Sequence, residues 1–318
     1  MALLQLEGLT THYSTARGWV RAAEDVSFEV EKGQALGLVG ESGCGKTTVA
    51  LSILRILPSG AKIRGGKILF EGQDLVPLKQ KEMRKVRWKG ISIVFQGAMN
   101  AMNPVFKVGD QIIEAIKLHE PDVPSSDARK RTEALLEMVG VEPSRIDNYP
   151  HEFSGGMRQR ALIAMALAAN PKLLIADEPG TALDVIVQAQ VLQLMRSLKE
   201  RLGLSMVLIS HDLSIVAEVC EKIAIMYAGR VVEYGDINTI FNEPLHPYTQ
   251  GLLGAFPSIK GERKKLISIP GQPPDLLVPP AGCRFHPRCP YAMEVCKGEV
   301  PRLEKAGSGD HYVACYLY

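Results

Sequence analysis

The chain has 318 residues, 46% of them hydrophobic, and a formal net charge of +2 from 37 basic and 35 acidic residues. This length and composition indicate a globular protein with a large core and space for a smaller second domain. The balanced charge excludes a global field that attracts nucleic acid, and we expect no nucleic-acid partner. No apolar stretch reaches the roughly 18 residues that a membrane-spanning helix needs. Because the first residues lack a basic leader and a continuous apolar block, we expect a cytoplasmic protein.

The N-terminal half has the pattern of an α/β protein. Strand-like stretches from Ala2 to Leu9 and from Asp25 to Val30 predict a small antiparallel β layer. An apolar run from Gln34 to Val39, a glycine-rich turn and a helical stretch from Thr47 to Leu57 follow in the order of an α/β unit. Further short apolar runs are typical of buried parallel strands: Ile91 to Phe95, Leu173 to Ala176 and Met206 to Ile209. A mostly helical stretch from about Val108 to Ala169 predicts an inserted helical subdomain, with bounds near 98–170.

The composition changes after about Glu243, since eleven of the twenty prolines lie in the last 75 residues. Proline at this density disfavours helices and central strands, so we predict a loop-rich C-terminal region, residues 243–318, after a main domain of residues 1–242. Four of the six cysteines lie in this region. In a reducing compartment, clustered cysteines indicate a metal site before disulfides, and we expect that site to order the region. The four are Cys283, Cys289, Cys296 and Cys315.

Residues Gly40 to Thr47, here called the phosphate loop, match the pattern G-x-x-x-x-G-K-[ST] between a predicted strand and a predicted helix. Glycines let the backbone N–H groups surround phosphate, and the helix N-terminus adds positive potential. We expect Lys46 to neutralise β- and γ-phosphate charge and the Thr47 hydroxyl to bind Mg²⁺. The predicted ATP contacts in this segment are Gly40, Ser42, Gly43, Cys44, Gly45, Lys46, Thr47 and Thr48. We interpret Cys44 as a small space-filling side chain, with a redox role as the alternative.

Polar residues follow the other predicted parallel strands. Asp177 and Glu178 end the run that begins at Leu173, where a carboxylate can hold Mg²⁺ and another can handle an attacking water. We assign Asp177 to the metal and Glu178 to the water. Gln96 and His211 also follow strands, and ligands of open parallel sheets bind at these strand ends. We therefore expect Gln96 to contact ATP and Mg²⁺ and His211 to contact the γ-phosphate.

Up to this point the residues indicate a P-loop nucleotidase. The segment from Phe153 to Arg160, with Ser154, Gly155 and Gly156 opening a predicted helix, resembles the signature sequence of ATP-binding-cassette (ABC) ATPases. The resemblance implies that the signature of one subunit closes over the phosphate loop of its partner, so that two ATP molecules lie within a dimer. It also implies a RecA-like P-loop NTPase core with an N-terminal antiparallel β subdomain and an inserted helical subdomain.

Two further segments resemble ABC motifs. Thr181-Ala-Leu-Asp184 looks like the loop that crosses the dimer interface, and Tyr13 looks like the aromatic residue that stacks on adenine. Trp19, on the same predicted hairpin, is the alternative adenine contact. The chain has Met157 where Gln is common and Gly180 where Ser or Thr is usual, but neither difference removes a catalytic group. We therefore expect competent ATP hydrolysis.

The C-terminal region resembles that of oligopeptide and dipeptide importers. Pro244-Leu-His-Pro-Tyr-Thr249 and Cys283-Arg-Phe-His-Pro-Arg-Cys289-Pro carry this likeness, together with the run from Phe95 to Pro104. The resemblance implies a partner ABC ATPase, two membrane-spanning permease subunits, an indirect extracytoplasmic solute-binding protein and a location on the cytoplasmic face of the membrane. A heterodimer is favoured over a homodimer. The competing interpretations are a soluble ABC ATPase that does not drive transport, and a binding module that does not hydrolyse ATP.

The four clustered cysteines have the spacing Cys-x5-Cys-x6-Cys-x18-Cys. This spacing matches neither the close pairs of structural zinc sites nor the compact run of bacterial ferredoxins. Four thiolates suit zinc and iron-sulfur equally. The family resemblance implies a [4Fe-4S] cluster in a small metal-binding domain, with Zn²⁺ as the alternative. His286 and His311 are candidate substitute ligands.

Overall fold

The computed structural model describes residues 2–97, 101–181, 183–255, 269–307 and 309–318. They divide into two compact units. The first unit consists of Glu31–Ala35 and Pro77–Ile209, and the second of Ala2–Val30, Leu36–Val76 and Ser210–Tyr318. The predicted boundary between residues 242 and 243 lies within the second unit and stays a prediction.

Strands and helices alternate along most of the chain. The strands are β1 (Ala2–Thr15), β2 (Gly18–Glu31), β3 (Ala35–Val39), β4 (Ala61–Phe70), β5 (Gln73–Asp74), β6 (Ile91–Val94), β7 (Leu173–Asp177), β8 (Ser205–Ser210), β9 (Lys222–Tyr227), β10 (Arg230–Asp236), β11 (Glu304–Lys305) and β12 (His311–Val313). The helices are α1 (Lys46–Leu54), α2 (Gln80–Val86), α3 (Val108–His119), α4 (Ser125–Met138), α5 (Gly155–Ala166), α6 (Val185–Leu202), α7 (Leu213–Val219), α8 (Ile237–Asn242), α9 (Pro247–Gly254) and α10 (Val295–Gly298). No helix among the described residues is long and apolar enough to span a membrane.

The second unit contains the predicted antiparallel β layer. Its strand order is β2-β1-β4-β5, and β1 runs antiparallel to β4 with Leu4 opposite Phe70. Leu4 and Leu6 of β1 are buried, because alternate side chains of a strand point to one face, and Leu9 is also buried within the register shift between Glu7 and Thr10. The strands are longer than the sequence predicted and leave a short turn at residues 16–17. The prediction of this layer is confirmed.

A second sheet of the same unit carries the phosphate loop. Strand β3 pairs with β9 in parallel, and β9, β10, β12 and β11 continue antiparallel. Every residue of β3 is buried, as expected for a strand covered on both faces. A Cβ at Gly37 would lie 2.0 Å from the Val216 side chain, so this glycine lets α7 pack directly on the strand. The phosphate loop therefore begins at the end of a tightly packed strand, β3.

The first unit holds the parallel strands β6, β7 and β8 and the five helices α2 to α6. Ile91 pairs with Leu173 and Leu173 with Ser205, so the three strands run side by side in one direction. The predicted helical stretch contains α3, α4 and α5 and two short 3₁₀ turns. Helix α5 begins at Gly155, directly after the signature serine. The predicted α/β class with helices inserted between β6 and β7 is confirmed.

The C-terminal region is ordered by contacts that the sequence analysis did not predict. Tyr248 and Phe285 form a buried aromatic cluster with Tyr227, with ring centroids 4.7 to 5.4 Å apart. Two buried arginines of the region, Arg284 and Arg288, form ion pairs with residues of the N-terminal third of the chain. Strands β11 and β12 also extend the sheet beside β10. Its order therefore does not depend on the cysteines alone.

Candidate functional site

The phosphate loop lies in the second unit, between β3 and α1. A Cβ at Gly45 would lie 2.0 Å from the Ala22 carbonyl oxygen, and one at Gly40 would lie 2.1 Å from the Met226 carbonyl oxygen. Gly45 also has φ +106°, a conformation that side-chain-bearing residues avoid. These two glycines let the loop turn tightly against neighbouring backbone and enter α1. Three of the other predicted contacts are exposed: Ser42, Gly43 and Thr47.

Lys46 is buried at the start of α1. Its Nζ donates to the carbonyl oxygens of Gly40, at 2.7 Å, and Glu41, at 3.1 Å, so the ammonium lies against the loop. An ammonium can exchange such carbonyl acceptors for phosphate oxygens. Thr47 follows with an exposed side chain, whereas Thr48 is buried. The loop therefore presents a cation and a hydroxyl beside each other, as an ATP and magnesium site requires.

Cys44 is buried within the same loop at 3% exposure. Burial raises the pKa of its thiol above the ordinary value, although the nearby Lys46 acts in the opposite direction. The thiolate is therefore disfavoured, and redox chemistry needs the thiolate. This environment fits the predicted space-filling role.

The two aromatic candidates for the adenine contact differ in their surroundings. The Tyr13 hydroxyl lies 3.2 Å from the Thr48 hydroxyl, next to the start of α1. The Trp19 ring is covered by the Arg64 guanidinium, 4.1 Å from the ring centroid. A cation on its face makes Trp19 the poorer surface for a base, so the geometry favours Tyr13.

The first unit brings Gln96 and Glu178 together. The Gln96 Nε2 donates to Glu178 Oε2 at 2.8 Å, and the Thr181 hydroxyl donates to the same oxygen at 2.9 Å. Asp177, at the end of β7, is 1% exposed, and Glu178 turns out of the strand with φ +46°. Thr181 was expected only in the dimer-crossing loop. Thr181 follows Glu178 by three residues within a tight turn, and this spacing is the signal that could have suggested the hydrogen bond between them.

The signature segment forms the N-terminus of α5 in the first unit. Ser154 is the N-cap, and its hydroxyl accepts from the Met157 N–H at 3.3 Å. A Cβ at Gly156 would lie 2.6 Å from Val187, so this glycine lets α6 pack against the first turn. The first N–H groups of a helix lack intrahelical acceptors, and one capping hydroxyl satisfies only one of them. The remaining amides of the first turn can bind an anion.

His211 follows β8 at the start of the second unit's last segment and has an exposed side chain. Asp212 caps α7 by accepting from the Ser214 N–H at 2.8 Å, which fixes the chain directly after His211. The structure therefore places His211 in the second unit with Lys46 and Thr47. Gln96, Asp177, Glu178 and Ser154 lie in the first unit. The predicted Ala182 and the residues 98–100 lie outside the described residues.

The four clustered cysteines line one small cavity in the second unit, together with His246 and Phe285. None forms a disulfide. Burial, reinforced by neighbouring cysteines, raises the pKa of Cys283 to about 11 and also raises the pKa values of Cys289 and Cys315. The structure therefore brings together four soft sulfur donors separated by as many as 32 positions in the sequence, Cys283 to Cys315.

The four cysteine sulfurs are not arranged as ligands of a single metal ion. Among the described ranges, no group of three or more His, Cys, Asp or Glu side chains has an arrangement that could hold such an ion. The predicted substitute ligand His311 is instead bonded to Glu233, at 2.8 Å, and does not line the cavity. His286 lines it, with Nδ1 2.9 Å from the Cys283 carbonyl oxygen. The donor set fits a thiolate-bound group chemically, and its geometry does not identify one.

Comparisons with known proteins match both parts of the chain. The family described as ABC transporter matches residues 23–181, and the family described as oligopeptide/dipeptide transporter, C-terminal region, matches residues 232–296. The oligopeptide transport ATP-binding protein OppD of Bacillus subtilis is 47% identical over 99% of this chain and 88% of its own length. The dipeptide transport ATP-binding protein DppD of the same species is 46% identical, with 99% and 94% covered. OppD of Escherichia coli is 44% identical, with 95% and 90% covered.

Solved structures of ATP-binding cassettes share the fold. A dimeric, post-hydrolysis structure of the cassette MJ0796, bound to ADP and Pi, has a TM-score of 0.66 and 26% identity, covering 74% of this chain and 98% of that one. The cassette cbiO1 of Clostridium perfringens, part of the cbiONQ transporter complex, has the same TM-score at 28% identity, covering 76% and 91%.

A phosphate loop between a buried parallel strand and a helix, within an α/β fold with an added antiparallel layer, defines a P-loop nucleotide-binding ATPase. The matched relatives extend over nearly the whole chain and include its C-terminal region. The chain belongs to the ABC transporter family, among the ATP-binding proteins of oligopeptide and dipeptide transport.

Proposed function

We propose that this chain binds and hydrolyses ATP to energise the import of oligopeptides or dipeptides through a membrane transporter. The observation that carries the proposal is the combined match: an ABC region is followed by the C-terminal region of oligopeptide/dipeptide transporters. Relatives with the same combination are named oligopeptide and dipeptide transport ATP-binding proteins.

The residues have distinct tasks in the proposed reaction. Lys46 and the phosphate-loop amides bind the β- and γ-phosphates of ATP, and Tyr13 stacks on adenine. Thr47, Asp177 and Gln96 offer the oxygen ligands that Mg²⁺ prefers, and this ion would neutralise phosphate charge. Glu178 accepts hydrogen bonds from Gln96 and Thr181 on one oxygen and acts as the general base toward the attacking water. His211 contacts the γ-phosphate.

Hydrolysis in this proposal needs a pair of subunits. The Ser154 to Gly156 cap is a separate anion site at the N-terminus of α5, and the proposed dimer places it over the ATP of the partner subunit. The dimeric cassette bound to ADP and Pi supports this arrangement by its similar fold. We propose a second ABC subunit, identical or different, two permease subunits and an indirect solute-binding protein as partners. The chain itself would lie on the cytoplasmic face of the membrane.

We also propose that the four clustered cysteines hold a [4Fe-4S] cluster in the C-terminal region. All four cysteines line one cavity, which supports a bound thiolate group, and the family resemblance of the region favours a cluster over zinc. Visible absorbance with iron and sulfide analysis of anaerobically purified protein tests this proposal, and stoichiometric zinc would contradict it.

Reconstitution tests the transport proposal. The chain is purified with its membrane subunits, placed in liposomes with the solute-binding protein, and assayed for uptake of a labelled oligopeptide. We expect uptake that requires ATP and is lost in a Lys46→Ala complex that still assembles. A chain that purifies without membrane subunits and has nucleic-acid-stimulated ATPase activity would contradict the proposal.

A further inference from the structure

Glu41, the second residue of the phosphate loop, is held by the C-terminal region. Its backbone N–H donates to the Tyr248 hydroxyl at 3.0 Å. Its carboxylate accepts two hydrogen bonds from Arg288, at 2.7 Å and 3.0 Å. Its carbonyl oxygen accepts from Lys46 at 3.1 Å. The N–H, carboxylate and carbonyl of one loop residue are therefore all fixed, two of them by residues more than 200 positions away in the sequence.

Arg288 is a rigid anchor for this contact. Its side chain is only 6% exposed, and both terminal nitrogens bond to the Glu41 carboxylate in the paired geometry that guanidinium and carboxylate favour. Its Nε donates to the Pro270 carbonyl oxygen at 2.7 Å, and Nη1 also lies 3.3 Å from the Tyr227 hydroxyl. A guanidinium bonded along three edges has little freedom to move. A lysine has the charge but cannot reproduce the fork.

Tyr248 is an equally fixed acceptor. It is fully buried in helix α9, and its ring packs on Tyr227 and Phe285, with centroids 4.7 Å and 5.4 Å away. Its hydroxyl accepts the Glu41 N–H at the turn where β3 ends and the phosphate loop begins. The start of the loop is therefore positioned by a packed aromatic cluster of the C-terminal region.

The charge of Glu41 makes the Arg288 contact relevant to ATP. Glu41 is the only acidic residue of the phosphate loop, Gly40 to Thr47. An uncompensated carboxylate in a loop that binds a triphosphate repels the ligand, because like charges at short distance in a partly buried site interact strongly. The paired guanidinium of Arg288 neutralises that carboxylate.

We infer that Arg288 and Tyr248 are positioning residues for the phosphate loop, so that the C-terminal region sets the affinity of this chain for ATP. Neither residue is assigned to touch ATP itself. The inference rests on the proposed ATP binding at this loop. It gives the C-terminal region a task in nucleotide binding that is separate from any group its cysteines hold.

Equilibrium titration of the full chain with MgATP tests this inference. Arg288→Ala is expected to raise the Kd for ATP about tenfold, within the range typical of coupling between linked sites. Arg288→Lys should give an intermediate rise, and Tyr248→Phe, which removes only the hydroxyl, a rise of about threefold. In steady-state ATPase assays the KM for ATP should rise while kcat changes less than twofold. In a Glu41→Gln background, Arg288→Ala should weaken binding by less than it does alone, because the repelling charge is absent.

Arg284→Ala is the matched control. Arg284 is also buried in the C-terminal region, but its side-chain partners are Glu24 and the Ala228 carbonyl oxygen, outside the phosphate loop. The Arg284→Ala variant should have a lower melting temperature than the unsubstituted chain, while its Kd for ATP stays within twofold of that of the unsubstituted chain. The inference is overturned if Tyr248→Phe and Arg288→Lys fold and bind ATP as the unsubstituted chain does, or if Arg284→Ala weakens binding equally. If the unsubstituted chain shows no ATP binding that depends on Lys46, the proposed function fails instead.

Discussion

Glu233 is a fully buried carboxylate of β10 that joins this strand to two parts of the C-terminal region, and its removal should destabilise the chain strongly. It accepts from the Leu245 N–H at 2.7 Å, the His246 N–H at 3.0 Å and His311 Nε2 at 2.8 Å. These contacts tie β10 to the start of α9 and to β12. Glu233→Ala leaves two backbone donors and one imidazole nitrogen without this acceptor inside the protein.

The size of the loss follows from these three contacts. A buried donor left without an acceptor costs about 1–3 kcal/mol, and the three losses are not fully additive, so we expect a destabilisation of about 4 kcal/mol. At about 2.1 cal/mol/K per residue, a cooperative unit of this chain's size has an unfolding entropy of about 0.7 kcal/mol/K. The melting temperature should therefore fall by about 6 °C.

Thermal unfolding followed by circular dichroism, at fixed pH and without nucleotide, measures this shift. Glu243→Ala is the matched control, because this exposed glutamate lies ten positions away and contributes little to stability. Its melting temperature should stay within about 1 °C of that of the unsubstituted chain. A Glu233→Ala protein that melts as the control does would refute the reasoning.

The remaining predictions concern the loop, the reaction and pH. Gly45→Ala should abolish measurable ATP binding, since its Cβ would lie 2.0 Å from a backbone oxygen, whereas Gly65→Ala, with nothing within 4 Å, should bind normally in the same titration. Thr181→Val removes a hydrogen-bond donor to the Glu178 carboxylate and should lower kcat about tenfold with an unchanged KM for ATP; an unchanged kcat would count against this role. Burial lowers the pKa of His246 from 6.5 to about 3. Below about pH 6.5 the His246 imidazole takes up a proton in the unfolded chain but stays neutral in the folded chain. The free energy of unfolding is therefore highest above about pH 6.5 and decreases by about 1.4 kcal/mol for each pH unit below it. His246→Asn keeps the helix cap without titrating, and urea unfolding between about pH 6 and pH 4 should show a shallower slope for it; equal slopes would contradict the assignment.

Local patterns made the phosphate loop and its flanking elements predictable. Glycine spacing defines the loop, and a short apolar run directly before such a loop indicates a buried strand. The observed ends of helices and strands differ from the predicted ends by a few residues, because the exact ends of such elements are poorly defined. The carboxylates at the end of β7 were predictable for a similar reason, because in a sequence that also contains a phosphate loop an apolar strand ending in Asp177 and Glu178 indicates a magnesium and water site.

Long-range pairs were not predictable from one sequence. Glu41 and Arg288 are 247 positions apart, and Glu233 and His311 are 78 apart. No periodicity or spacing links such residues, and each looks like an ordinary surface charge until the fold buries it. For the same reason the proline-rich composition correctly indicated loops but did not reveal the aromatic cluster around Tyr248 that orders them.

Glu178→Gln tests the central claim most directly, because it removes the carboxylate charge while keeping the shape that Gln96 and Thr181 contact. Turnover of MgATP is measured together with the Kd for MgATP on the same preparation. We expect turnover to fall by about 10²-fold or more, as for loss of a general base, while ATP binding stays within about twofold. Turnover within about twofold of that of the unsubstituted chain would contradict the assignment of Glu178 and the reaction built on it.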